Sequence, residues 1–396
     1  MDCYTALMSA SQPQVILSQR GLERLQSRHP WIYRSDLERL PDEAGLHPVH
    51  DRRGRNYGWA AVNPRSEISV RMLSYGEAEI GRDFLLGLLE RALTRREAMN
   101  ILDEGYRLVH GEADGLPGLI VDRYGDTLVM QSGSAALEPF IPDFLELLVQ
   151  KLKPKGILAR FENRSRLLEG LKTFVEPLFG TVDEELEVQE AGLRYLVNPR
   201  TGQKTGAFLD QRLNRQTLGR HAKGDALDVF SYHAAFGLHL AGKVRSLECI
   251  DSSVPALERA QEIMQLNGFD NVRYVEANAF DYLRALEGDR RQFDTISLDP
   301  PALAKLRKDL PSAYRAYKEL NLRCIKMLAP GGVLASSSCS FHVGEPDFYT
   351  MLEDAARDAG RRLRILERGT QAPDHPELLG VPETRYLKFA LLEAVD

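Results

Sequence analysis

From residue 198 onward, five short apolar runs alternate with longer segments of helical periodicity, and this alternation constrains the fold more than any other feature of the chain. Strands are predicted at 226–230, 246–251, 272–275, 293–298 and 333–337. Helices are predicted at 238–241 and slightly upstream, then at 255–266, 280–286, 312–328 and 347–359. The helix ending at Leu266 is followed by Asn267 and Gly268, a left-handed stop signal. Strand and helix in strict alternation imply a doubly wound, mostly parallel α/β sheet with a Rossmann-like plan.

In such sheets ligands bind beyond the carboxyl ends of the strands, so the residues ending each run are the ones that bear on chemistry. The first run contains Asp228 and leads through Phe230, Ser231 and Tyr232 to Gly237. The second ends at Asp251, whose carboxylate can accept two bonds from vicinal ribose hydroxyls. The third is followed by Asn278, Ala279 and Phe280, a polar group and a ring suited to a purine, and the fourth by Asp299, Pro300 and Pro301. A dinucleotide pyrophosphate requires GxGxxG, which the turn after Asp228 lacks, so NAD is disfavoured. S-adenosylmethionine has the ribose and purine without the phosphates.

Upstream the texture differs. Residues 13–80 read as a small strand-rich module with apolar clusters at 31–33, 57–62 and 68–73 and a brief helix at 21–27. Residues 13–78 hold ten arginines, no lysine and eight acids, and guanidinium groups suit bidentate phosphate contact, although an arginine-rich composition gives the same bias. Residues 81–197 read as an α+β connecting region, with a helix at 83–99, strands at 107–110, 119–123, 127–131 and 156–161, a helix at 138–151 and a hairpin at 187–197. Three domains are therefore expected, at 13–80, 81–197 and 198–396, with residues 1 to about 12 frayed. A net charge of −6 over 396 residues makes no polycation, so nucleic-acid contact requires a local basic surface. Cys3, Cys249, Cys324 and Cys339 contain no CxxC pair, which disfavours a metal site and a secreted disulfide framework and points to the cytoplasm. No apolar window is long enough to predict a membrane span.

The segments NPRTGQKTGAFLDQR, DVFSYHAAF, LECIDSSVPALERA, ANAFDYL, LDPPALAK, RAYKELN, SSCS and ETRYLKFAL, in this order, resemble the PUA-containing large-subunit ribosomal RNA cytosine-C5 methyltransferases. VILSQRGLERLQSRHPWIYRSDL resembles the opening of that family's PUA domain, and GYRLVHGEADGLPGLIVDRYGD its connecting domain. The resemblance implies an RNA-binding rRNA-processing enzyme of the class I kind, using S-adenosylmethionine. Cytosine C5 is not nucleophilic at rest, and a thiolate adding at C6 makes it so. By the match to SCS, Cys339 is the nucleophile, and Asp299 holds the cytosine edge beside a wall made by Pro300 and Pro301. The implied cofactor site comprises Asp228, Phe230, Ser231 and Tyr232, then Asp251 and Ser252, and then Asn278, Ala279, Phe280 and Asp299. Lys204, with Arg20, Arg28 and Arg34, is read as an RNA contact, while Asp210, Gln211 and Arg212 are read toward the amino-acid end of the cofactor, with Arg212 also a weaker candidate for the basic surface. Partners are large-subunit ribosomal RNA and, for the oligomeric state, a homodimer among the options, with no membrane and no metal.

Cys249 and Cys324 read as core residues, and His233, His342 and His375 as solvated loop histidines. One departure from the family pattern stands beside the expected cofactor, where Ala234 and Ala235 replace two glycines. A left-handed backbone at either position would cost about 1 kcal/mol. Two other readings follow from the same residues. In one, Asp299-Pro300-Pro301 serves direct methylation of an exocyclic amine and Cys339 has no chemical role; in the other, the cofactor site has decayed and the chain is an RNA-binding assembly factor.

Overall fold

The computed structural model describes residues 14–304 and 306–396; the expected frayed leader, Cys3 and Lys305 lie outside them. The chain divides into two compact units. The first takes residues up to 100, residues 107–182 and a short return at 378–381. It holds two separate sheets, one on each side of residue 80. The earlier sheet has six strands in the spatial order Trp31–Ile32, Val70–Ser74, Asn56–Val62, Gly45–His50, Val15–Leu17 and Leu37–Arg39. Its helix, Gln19–Gln26, starts where the Ser18 hydroxyl accepts from Gly21 N at 3.2 Å, and Leu25 joins Val15, Ile32, Val49, Val62 and Val70 in the core. The later sheet has five strands, in the order Phe174–Gly180, Gly156–Phe161, Thr127–Ser132, Leu119–Tyr124 and Gly105–His110.

The second unit takes residues 101–106, 183–377 and 382–396, so the hairpin Leu186–Glu190/Leu193–Val197 belongs to it and it begins ahead of residue 198. Buried charge ties the hairpin in. Arg215 donates to Glu190 through Nε at 2.8 Å, and His239 Nε2 lies 2.8 Å from the same carboxylate. The seven strands of its main sheet are β1 (Asp225–Val229), β2 (Ser246–Asp251), β3 (Val272–Glu276), β4 (Phe293–Leu298), β5 (Leu328–Ser338), β6 (Leu363–Gly369) and β7 (Lys388–Ala394), with spatial order 3-2-1-4-5-7-6. The first five are parallel; β7 enters antiparallel between β5 and β6. Helices α1 (Arg212–His221), α2 (Ala235–Ala241), α3 (Val254–Leu266), α4 (Ala279–Gly288), α5 (Leu310–Lys326) and α6 (Glu345–Ala359) accompany it.

The period of two along β1 shows how both faces are covered. Leu227 and Val229 pack in one cluster with Leu283 of α4, Leu320 and Cys324 of α5 and Phe348 of α6. Ala226, on the opposite face, packs in another with Leu218 of α1, Phe236 of α2 and Ile263 of α3, together with Cys249. The strand order reverses between β1 and β4, and the crevice there opens at their carboxyl ends.

Candidate active site

The turn leaving β1 has an unusual backbone. Phe230 (φ 61°), Tyr232 (φ 50°) and Ala234 (φ 53°) all lie in the left-handed region, where non-glycine residues are uncommon. The zigzag aims successive amides at fixed acceptors. Ser231 N donates to Ile250 O at 2.9 Å, Tyr232 N to Asp251 Oδ2 at 2.9 Å and Gly237 N to Asp228 Oδ2 at 2.8 Å. A Cβ at Gly237 would stand 3.0 Å from that Asp228 oxygen and 3.1 Å from Cys249 Sγ, so glycine suits the close helix–strand approach. Of the two alanines that depart from the family pattern, Ala234 therefore carries the backbone strain, and Ala235 begins α2.

Asp251 sits at the tip of β2 with each carboxylate oxygen held by an amide, Oδ1 by Ser253 N at 3.0 Å and Oδ2 by Tyr232 N. Its orientation is fixed, and each oxygen keeps a lone pair for a ligand hydroxyl. Ser253 caps α3, and Ser252 stands between these two anchoring residues without a side-chain bond among the described residues. Asn278 caps α4, its Oδ1 accepting from Phe280 N at 3.0 Å, and this bond fixes Ala279 and Phe280 at the helix start. The Phe280 ring meets Phe230 edge-on at 6.5 Å. Asp228 corrects its expected direct contact with the cofactor. It is 2% exposed, faces Gly237 and Ser297, and shapes the loop from behind. Burial, then the charges of Asp299 and Asp251, push its carboxyl up to about 7.

Asp299 and Cys339 follow the neighbouring strands β4 and β5, and both are half-buried. Gln211 Nε2 donates to Asp299 Oδ1 at 3.0 Å. Burial, with the charge of Asp210, raises the Asp299 carboxyl to about 7. Burial and then Asp299 raise the Cys339 thiol to about 11, against the opposing pull of Lys204 and Lys388. Lys204, the expected RNA contact, is exposed; it also ion-pairs with buried Asp210 and lies over the Phe208 ring at 4.7 Å. Burial disfavours the Asp210 anion, yet Lys204, His375 and the Tyr386 hydroxyl at 2.7 Å outweigh it and hold the carboxyl well below its ordinary range. Arg212 is also corrected. It is 2% exposed and ion-paired to Asp374 at 3.1 Å and Asp103 at 3.3 Å, which removes it from any basic surface.

Behind the two prolines, the Tyr317 hydroxyl bridges to Ser340 Oγ at 2.9 Å and to Pro301 O at 3.4 Å. The loop after Asp299 is thereby tied to the residue after Cys339. Tyr317, Tyr386 and Lys388 received no role from the sequence, although RAYKELN and ETRYLKFAL contain them. Pro300 is buried and Pro301 exposed. The histidines differ from expectation: His375 is 2% exposed beside Asp374, and His233 stacks on Tyr232 at 3.7 Å, where burial lowers its pKa to about 4. His342 meets Phe341 edge-on in the loop after Cys339. In the first unit, Arg20 ion-pairs with Asp36 at 3.1 Å, Arg28 lies over Tyr75 at 4.7 Å and Arg34 is exposed. Among the described residues no cluster of three or more His, Cys, Asp or Glu side chains could hold a metal ion, and no helix is long and apolar enough to cross a membrane.

A sheet of order 3-2-1-4-5-7-6 with an aspartate held at the tip of β2 defines an S-adenosylmethionine-dependent methyltransferase, and residues 170–390 match that family while 15–75 match the PUA-like domain. Relatives named ribosomal RNA large subunit methyltransferase I include one from Shewanella amazonensis, 37% identical over 92% of this chain and 95% of that protein, and one from Aeromonas salmonicida, 36% identical over 95% and 98%. The chain belongs to the ribosomal RNA large subunit methyltransferase I family. The fold is shared with a SAM-dependent methyltransferase from Streptococcus mutans (TM-score 0.81, 19% identity, 96% of this chain and all of that one) and with a methyltransferase solved with SAH (TM-score 0.82, 19% identity, with the same coverage). Its cofactor is S-adenosylmethionine.

Proposed function

We propose that this protein methylates C5 of a cytosine in large-subunit ribosomal RNA through a covalent bond between Cys339 and C6. The observation that carries the reading is the pairing of Cys339 after β5 with Asp299 after the adjacent β4, close enough for the Asp299 charge to raise the thiol pKa. Direct methylation of an exocyclic amine has no use for that cysteine. Asp251 receives the ribose hydroxyls, Asn278, Ala279 and Phe280 bound the purine, and the loop of Phe230, Ser231 and Tyr232 lies between them, with Ser252 alongside. Arginines of the PUA-like domain, Arg20, Arg28 and Arg34 among them, engage phosphates.

The Cys339 thiol proton passes to the Asp299 carboxylate as Sγ bonds to C6, and Asp299 delivers it to N3, so the electron pair of the C5–C6 double bond becomes available at C5. An Asp299 carboxyl near 7 suits both transfers at neutral pH. S-adenosylmethionine, when bound, supplies the electrophilic methyl group. Water then removes the C5 proton, Sγ leaves C6 with its electron pair, and the N3 proton returns through Asp299 to sulfur. Pro300 and Pro301 fix the turn that presents Asp299, and the bond between Tyr317 and Ser340 holds that turn against the cysteine. Mapping 5-methylcytosine in large-subunit RNA from wild-type and deletion strains tests the reading. Loss of one such site on deletion, and its return on complementation, is expected; an unchanged map would overturn it.

A further inference from the structure

Strand β7 runs antiparallel to β5 with Lys388 opposite Ser338, one residue before Cys339. The register thus brings a lysine from the last strand to the end of β5. The Lys388 side chain is buried, with the residue 6% exposed, and its Nζ donates to Ser340 O at 2.6 Å and Tyr386 O at 2.9 Å. Both partners are neutral carbonyls, and among the described residues no carboxylate forms an ion pair with it. Lysines are almost never buried without an anion, because an uncompensated ammonium is costly in a low dielectric. Burial outweighs the opposing effect of Cys339 and, with a smaller contribution from nearby Arg385, lowers the Lys388 pKa to about 8.

The other groups facing Cys339 do not compensate this charge. Asp299 and Asp210 oppose a thiolate, Lys204 favours it but is already ion-paired to Asp210, and the Tyr317 hydroxyl is bonded to Ser340. One buried cation lacks an anion, and the nucleophile beside it lacks a cation. We propose that Lys388 is the fixed counter-charge for the Cys339 thiolate, a positioning residue that keeps the anion formed when the thiol proton leaves for Asp299 and again when Sγ is expelled from C6. This rests on Cys339 being the nucleophile. Lys388 keeps its three protons throughout and exchanges none.

The test measures carbamidomethylation of Cys339 by iodoacetamide in the full-length protein across pH, mapped by peptide mass spectrometry, beside methylation kinetics. Lys388→Gln retains a donor for the two carbonyls and removes the charge; Lys388→Arg retains the charge. With Gln the alkylation midpoint should rise by about one pH unit and kcat at neutral pH fall about tenfold with KM for RNA little changed, whereas Arg should restore most of both. A Gln variant that alkylates and turns over like wild type would reduce Lys388 to a backbone tether and overturn the proposal. Lys388→Met adds the loss of the tether, and the Gln and Arg pair decides even if that variant does not fold. A midpoint that moves while wild-type product contains no 5-methylcytosine would leave the counter-charge standing and remove the cytosine reading; normal methylation with an unmoved midpoint would do the reverse.

Discussion

Gln211 Nε2 donates to Asp299 Oδ1 at 3.0 Å, while its own Oε1 accepts from Asn214 Nδ2 at 2.6 Å, so the Asp299 carboxylate is oriented by a relay that starts on α1. A buried bond to a charged group contributes about 1.5–3 kcal/mol, and here it also favours the ionised form. Gln211→Ala should lower kcat about tenfold or more, and it should move the acidic limb of kcat/KM, set near 7 by Asp299, to higher pH. A pH–rate profile of the two proteins checks this. Superimposable profiles would remove Gln211 from the site.

Helix α1 also shows where the sequence stops being legible. Its buried face carries Arg212, Asn214, Arg215 and Thr217, anchored by ion pairs and amide bonds, so no apolar period marks its extent. Strands β1, β2, β4 and β5 were legible because burial on both faces makes them largely apolar runs. β6 was not, since Arg364, Glu367 and Arg368 face solvent along an edge strand. Asp251, Asp299 and Cys339 stand where strand ends and family resemblance both point. Arg212 was misplaced because its partner Asp374 acts through the tertiary fold, and nothing in a linear sequence distinguishes a buried cation from a surface one.

Ala234 and Ala235 should respond differently to glycine. Ala234 is left-handed and fully buried, so Ala234→Gly exchanges relief of about 1–2 kcal/mol of backbone strain for a lost methyl contact and a freer unfolded chain, with a net change within about 1 kcal/mol. Ala235 begins α2, and Ala235→Gly should cost about 0.5–1 kcal/mol. Urea unfolding measures both. A Gly variant at 234 destabilised by more than one at 235 would contradict the conformations assigned here.

Asp228 predicts a pH dependence of stability. Its folded pKa of about 7 lies above the ordinary 3.8, so the folded state holds this proton more tightly than the unfolded chain does. That contribution is complete below the unfolded value and declines as pH rises through about 4 to about 7. Asp228→Asn cannot ionise and still accepts from Gly237 N, so its stability relative to wild type should rise between pH 5 and pH 8 by an amount on the order of 2 kcal/mol. Denaturant unfolding at the two values measures the difference, and a gap that is constant with pH would show that Asp228 ionises normally.

The proposed chemistry rests on Cys339 making and breaking one bond. In the proposed reaction the sulfur acts on the base and not on the cofactor, so Cys339→Ala should abolish methylation while S-adenosylmethionine affinity stays within about twofold by calorimetry. The thiol is held at about 11 by burial and by Asp299, so reaction at neutral pH depends on Asp299 taking the proton as the bond to C6 forms. Asp299→Asn removes that acceptor and should slow methylation by at least about a hundredfold, with RNA binding retained. RNA carrying 5-fluorocytosine at the target blocks the final elimination, because C5 then has no proton to lose. It should trap wild-type protein as a covalent adduct that peptide mapping assigns to Cys339, and Cys339→Ala should yield none. Full methylation by Cys339→Ala, or an adduct on another residue, would transfer the chemistry to direct attack by an exocyclic amine.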